Sequence, residues 1–207
     1  YEIDITINDL RDSTVFFAYH LGDKQYIKDT VKLDQTGHGI VRGKDILPQG
    51  IYMIVLPGRK YFELLISDDQ HFSVSAAFSD YFNTLKFTGS DENSAFIEYQ
   101  RKWLTMQKRA GAISKRIQNN KQNNDSLKIL GSIQKVQEEN MKTYLKSVIS
   151  VNKDNLLAAL VKALLPVDVP EFSVPFGFAN PDSVSWIRNY NYNKDHFFEN
   201  VDLTDER

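Results

Sequence analysis

The residues best suited to chemistry in this sequence are two adjacent carboxylates and an imidazole, Asp68, Asp69 and His71. Such a set could hold a divalent metal ion or transfer a proton. The three residues lie between two strand-like stretches, where aspartate commonly forms turns, and a metal site needs further ligands that the sequence does not indicate. We therefore expect a turn rather than a metal site here, and these three side chains are the candidate metal ligands of the alternative interpretation.

Cysteine is absent from the sequence, and this limits the chemistry further. Without a thiol, the chain has no disulfide framework, no thiolate zinc site and no thiol nucleophile. It also lacks the motifs of phosphate-binding loops, nucleophile elbows and zinc peptidases. We expect no catalytic residue and no cofactor in this chain, and a hydrolase built on Asp68, Asp69 and His71 is the enzymatic hypothesis that we retain.

The composition is that of a packed protein rather than a disordered one. The chain has 207 residues, 42% of them hydrophobic, with 25 Lys and Arg against 27 Asp and Glu. The resulting net charge of −2 gives no global electrostatic argument for a nucleic-acid partner. No apolar run approaches the roughly 18–20 residues that cross a bilayer, so we expect no transmembrane segment.

The strongest local charge bias lies between positions 101 and 121, where seven basic residues occur without an acidic one. They recur between apolar positions, as on the solvated face of a helix whose other face is packed. We expect such a solvated face, and an acidic docking partner is the alternative. The basic residues are Arg101, Lys102, Lys108, Arg109, Lys115, Arg116 and Lys121.

Residues 1–89 show the period-two alternation of half-buried strands, for example at Ile3, Ile5 and Ile7. Turn signals rich in Gly, Pro and Asp separate the strand-like stretches at short intervals, which favours antiparallel hairpins. We predict an antiparallel β-sandwich-like domain of seven or eight strands over residues 1–89.

Residues 90–207 change to a helical pattern, which makes the overall fold class α+β. A first helix is predicted to begin at Ser90 or Asp91 and a second to run from about Asp125 to Val151, together forming a long antiparallel hairpin. A heptad seam on the first helix places Trp103 at the buried centre of this hairpin. The seam residues are Phe96, Tyr99, Trp103, Met106, Ala110, Ile113 and Ile117, facing Leu130, Ile133, Val136, Met141, Leu145 and Val148.

Beyond a short third helix near 154–165, four of the six prolines fall within residues 166–181 and predict an extended connector. A last helix should begin at Asn180-Pro181. It leads into aromatic residues that suit interdomain docking, and we expect the first three to dock against the preceding helices or the β half. These residues are Trp186, Tyr190, Phe197 and Phe198. The first residue, Tyr1, and the last, Arg207, suggest a piece of a longer polypeptide, with residues 198–207 leading into a further domain.

Several stretches resemble the N-terminal region of Bacteroidetes thiol-disulfide oxidoreductases of the thioredoxin-like TlpA/ResA and AhpC/TSA group. They are residues 18–30, 50–52 with 56–57, 69–72, 87–93 and 196–207. In proteins of this kind such a region precedes a thioredoxin-like domain that bears Cys-x-x-Cys, in a protein of the periplasm or cell envelope. Because this chain has no cysteine, none of that family's catalytic residues has a counterpart here.

The resemblance implies a non-catalytic accessory domain that positions or gates a downstream thioredoxin-like domain of the same polypeptide, or presents client proteins to it. The longer protein would then be a thiol-disulfide oxidoreductase. The alternative is an autonomous periplasmic binding module that uses its β half to hold a ligand or peptide.

Overall fold

The computed structural model describes residues 1–153, 155–170, 172 and 180–201, and these residues form an α+β fold. The strands are β1 (Glu2–Asn8), β2 (Thr14–Leu21), β3 (Lys24–Lys32), β4 (His38–Arg42), β5 (Gly50–Leu56), β6 (Lys60–Ile66), β7 (His71–Ala77) and β8 (Lys86–Thr88). The helices are α1 (Tyr81–Thr84), α2 (Asp91–Asn119), α3 (Asn124–Val151), α4 (Leu156–Ala163) and α5 (Pro181–Asp195). The predicted change from strands to helices near residue 90 therefore falls between β8 and α2.

The strands form two four-stranded sheets, with the orders β4-β1-β7-β8 and β3-β2-β5-β6. Alternate side chains of β1, namely Ile3, Ile5 and Ile7, are fully buried in a core that residues of both sheets share. This arrangement confirms the predicted sandwich-like half. One pair, β1 with β7, is parallel. Period-two patterning could not reveal this pair, because it depends on how the chain returns from the second sheet and not on a local hairpin.

The helical hairpin is also confirmed. Ser90 caps α2, since its Oγ accepts a hydrogen bond from the Asn93 N–H at 3.3 Å. The Asn123 side chain caps α3 in the same way, by accepting from the Ser126 N–H at 2.9 Å. A short polar loop at 120–123 joins the two helices, which run antiparallel and contact each other.

A second hydrophobic cluster lies where the base of the hairpin meets the sheet. It joins Leu65 of β6 to Phe96 and Tyr99 of α2, Leu145 of α3 and Leu157 of α4. Ile97 of α2 belongs instead to the core of the sandwich. The helices and the sheets are therefore packed against each other rather than linked by a free connection.

The predicted apolar seam of α3 is wrong in its middle. Ile133 and Val136 are 44% and 60% exposed, whereas Gln134 and Gln137 are partly buried. Each residue turns a helix by about 100°, so position 137 lies close to the line through the buried Leu130 and Val148, while position 136 lies about 120° away from it. The predicted seam joined the most hydrophobic residues of α3, whereas burial depends on the angular position of each residue around the helix axis.

Trp103 is partly buried rather than fully enclosed at the centre of the hairpin. Its indole stacks on the ring of Tyr99 with the centroids 6.2 Å apart, at the edge of the second cluster. The third helix begins at Leu156, close to its predicted start. Most of the predicted proline-rich connector and residues 202–207 lie outside the described residues.

None of the helices in the described part of the chain is both long enough and apolar enough to cross a membrane.

Candidate functional site

Asp68 and Asp69 lie in the turn between β6 and β7, as predicted, and the turn is held by a buried glutamine. Gln70 is 7% exposed, and its side-chain amide donates to the Leu47 and Ser67 carbonyl oxygens at 3.0 and 3.1 Å. Its Oε1 accepts from the Leu47 N–H at 2.9 Å. Every polar atom of Gln70 is thus used to fix the backbone, and the neighbouring aspartates are left exposed.

An open cleft of about 510 Å³ lies beside this turn. Asp68, Asp69, Asp91 and Glu92 line it, together with Lys153. His71 is the first residue of β7, is exposed and does not line the cleft. Among the residues that the structure describes, no group of three or more His, Asp or Glu side chains is arranged to hold a metal ion. The cleft brings together two of the three candidate ligands and separates the third from them.

Glu92 is the carboxylate of this cleft with the clearest structural role. Its Oε1 accepts from the Leu157 N–H in the first turn of α4 at 2.8 Å, and its Oε2 accepts from the Ser67 hydroxyl. Glu92 therefore connects three segments: the turn after β6, the first turn of α2 and the first turn of α4. A carboxylate near helix N-termini is also favoured by the helix dipoles.

Asn93 makes the second connection between the helices and the sheet. Its Oδ1 accepts from the Leu65 N–H at 2.7 Å, and its Nδ2 donates to the Leu65 carbonyl at 2.8 Å. The amide thus pairs with the free edge of β6 as a neighbouring strand would. Because both groups are buried, this pairing satisfies backbone atoms that would otherwise be costly to leave unbonded.

His38 has two carboxylates around its ring, an arrangement that the sequence did not indicate. Its Nε2 lies 2.7 Å from Asp4 Oδ1, and its Nδ1 lies 4.0 Å from Asp34 Oδ2. A hydrogen bond from the Thr36 hydroxyl, followed by those from the His38 and Thr36 N–H groups, lowers the pKa of Asp34 to about 2. Asp34 therefore closes the exposed turn before β4, and the cluster stabilises that turn and the β1–β4 edge.

The basic residues of α2 are exposed as predicted, with one exception. The guanidinium of Arg101 donates to the Phe82 carbonyl at 3.1 and 2.8 Å and to the Leu85 carbonyl at 2.9 Å. Arg101 therefore holds α1 and the residue that follows it against α2, and its Nε and Nη2 are already engaged in hydrogen bonds.

The C-terminal aromatic set, defined as Trp186, Tyr190, Phe197 and Phe198, consists of two ring pairs. Trp186 and Tyr190, one helical turn apart on α5, stack with their centroids 5.5 Å apart. Phe197 and Phe198 follow the helix and meet edge to face at 5.0 Å. Their segment is connected to the rest of the molecule by the Asn200 side chain, which donates to the Leu165 carbonyl at 3.3 Å.

These four side chains are 66%, 56%, 69% and 59% exposed, respectively. The prediction that Trp186, Tyr190 and Phe197 dock against the preceding helices or the β half is therefore wrong, whereas the surface position of Phe198 agrees with it. Neighbouring Ile187 is 51% exposed as well. Grouped apolar exposure of this kind is typical of interaction surfaces, because single exposed apolar residues are common but clusters are not.

Sequence reasoning missed the roles of Gln70, Glu92 and Asn93. The only signal available was their position: a polar residue next to a strand, and acidic and amide residues in the first turn of a helix. Those positions predict local turn and capping roles equally well, so the long-range bonds could not be inferred.

Comparisons with known proteins leave the interpretation to this geometry. A scan against protein-family models finds no match for the chain, and a search of curated proteins finds no significant relative.

Proposed function

We propose that this chain is a non-catalytic accessory domain of a cell-envelope thiol-disulfide oxidoreductase, which positions or gates a thioredoxin-like domain of the same polypeptide or presents client proteins to it. The C-terminal aromatic set is the contact surface for that domain. The redox chemistry belongs to the partner domain, since a thiolate is its nucleophile and this chain has no cysteine.

The observation that carries the proposal is the exposure of two preorganised ring pairs on the last described helix and the turn after it. Tyr and Trp are enriched at interfaces, where rigid rings give a large contact area with little loss of conformational entropy. The segment that follows α5 is also one of the stretches on which the resemblance rests. An aromatic surface at this place suits a domain connected through the same segment.

The junction formed by Glu92 and Asn93 supports a positioning role. Buried hydrogen bonds join the helices to the sheet at both residues, so the helical half is a defined platform rather than a loose extension. A platform of this kind can hold a second domain in a fixed orientation.

The test is insulin reduction by the natural full-length polypeptide, compared with its Trp186→Ala/Tyr190→Ala variant. We expect the rate to change by about fivefold or more, since truncating an interface anchor commonly costs above 1 kcal/mol. Tyr61→Ala is the matched control, because Tyr61 is an exposed ring on β6, far along the chain from α5. An unchanged rate in the double variant, or a natural reading frame without a Cys-x-x-Cys domain, would contradict the proposal.

The alternative, a binding module that uses the β half, has less support. Its most accessible feature is β3, an edge strand that exposes Tyr26 and Ile27. Lys24, Lys28 and Lys32 lie along the same strand, and lysines on edge strands usually prevent the addition of a further strand.

A further inference from the structure

A second concave surface lies on the side of the helical hairpin, apart from both the acidic cleft and the C-terminal aromatic set. It is a groove of about 370 Å³ between α2 and α3. Lys102 and Arg109 contribute from α2, and Gln137, Asn140 and Tyr144 contribute from α3. None of the described side chains that line the groove is a carboxylate, so its charge is positive.

The two cations of this groove have no carboxylate partner in the described part of the chain. Neither Lys102 nor Arg109 forms an ion pair with a described residue, whereas Lys142, for example, pairs with Asp168. Lys102 and Arg109 are separated by seven residues, two helical turns, and they therefore lie on the same side of α2. Arg in particular presents a planar set of N–H donors that matches carboxylate and phosphate oxygens.

Gln137 supplies the observation that distinguishes this groove from an ordinary basic surface. Its Nε2 is buried and has no hydrogen-bond partner, and it is the one side-chain atom of this kind among the described residues. A buried donor without an acceptor is unfavourable unless a ligand or an ordered molecule supplies the acceptor. The same groove contains the apolar side chain of Met106 and the ring of Tyr144, which can contact a carbon framework.

We infer that this groove binds a small organic anion that carries a phosphate or carboxylate group. Lys102 and Arg109 neutralise the anionic group, the Gln137 amide donates to one of its oxygens, and Met106 and Tyr144 contact the organic part. This inference is independent of the proposed accessory function, because it uses none of the residues of the C-terminal aromatic set.

The test is a titration of the full 207-residue chain with phenyl phosphate, followed through the side-chain amide signal of Gln137 in ¹⁵N NMR spectra. We expect a saturable shift of that signal. The affinity should fall by at least about tenfold in Lys102→Gln/Arg109→Gln, which removes two charge-assisted contacts. It should be unchanged in Lys115→Gln/Arg116→Gln, which removes the same charge from a part of α2 outside the groove.

Four other results would overturn the inference. A linear shift without saturation, or equal losses in both double variants, would indicate only a general charge effect. Equal affinity for phenol would show that no anion is recognised. Equal affinity for inorganic phosphate would show that the organic part makes no contact.

Discussion

The two halves of the helical hairpin are held together in different ways. In the half nearer the sheet, Phe96, Tyr99, Leu145 and Val148 are buried in one cluster with β6 and α4. In the distal half, toward the loop at 120–123, Met106 and Leu130 are the buried apolar residues among those described, and neither belongs to that cluster. The base of the hairpin therefore depends on tertiary burial, whereas its tip depends mainly on local helix interactions.

This difference indicates that the base of the hairpin contributes more to stability and that the tip opens locally more easily. Regions with few buried apolar contacts open locally at lower free energy than the global unfolding reaction. The groove with Lys102, Arg109 and Gln137 lies between the two halves. A ligand there would add contacts where the packing changes from apolar to polar.

The largest effect should come from removing a core side chain at the base. Leu157 is fully buried, so Leu157→Ala should lower the free energy of unfolding by about 2–5 kcal/mol. Ile129→Ala, at a 62% exposed site of the distal half, should change it by no more than about 0.5 kcal/mol. Urea denaturation of both variants measures the difference, and equal losses would remove the distinction between base and tip.

The next effect concerns the polar junction. Glu92→Ala leaves the Leu157 N–H and the Ser67 hydroxyl without their acceptor, which should cost about 1–3 kcal/mol of unfolding free energy. Asp91→Ala is the matched control, because it removes an exposed carboxylate from the same first turn of α2. If both variants lose the same stability, Glu92 acts only through the helix dipole.

A smaller effect is expected at high pH. Burial, followed by the nearby Tyr144, raises the pKa of Tyr99 to about 12, above the value of about 10 for an unfolded tyrosine. The folded state therefore favours the neutral phenol, and its stability should be complete below about pH 10 and decline as the pH rises through about 12. Tyr99→Phe should lose less unfolding free energy than the wild type between pH 8 and 11.5 in urea denaturation. An identical decline in both proteins would place Tyr99 outside the buried base.

The smallest effect is expected on the exposed face of α3. Ile133 is 44% exposed, so Ile133→Gln should change the unfolding free energy by less than about 0.5 kcal/mol. Differential scanning calorimetry against the wild type measures this change. A loss comparable to that of Leu157→Ala would show that Ile133 is buried, as hydrophobicity alone predicted.

The features that the sequence could predict are those with a local period. Alternation around Ile3, Ile5 and Ile7 defines the strands, and the spacing from Phe96 to Met106 defines the packed face of α2. The face of α3 was misassigned because polar Gln137 occupies an inward position that hydrophobicity does not reveal. The exposure of Trp186 could not be predicted for another reason. Burial of an apolar residue depends on whether a partner surface exists, and the adjacent residues of the sequence do not show this.

The most direct test of the account is hydrogen–deuterium exchange of residues 183–198 in the 207-residue chain alone and in the proposed full-length polypeptide that includes a thioredoxin-like domain. Residues 110–119, at the distal end of the hairpin, serve as the internal reference. The account predicts that exchange at 183–198 is at least about tenfold slower in the full-length polypeptide, because docking protects amides that otherwise exchange by local opening, and that the reference is unchanged. Equal exchange of 183–198 in the two proteins would contradict the assignment of the C-terminal aromatic set as the contact surface.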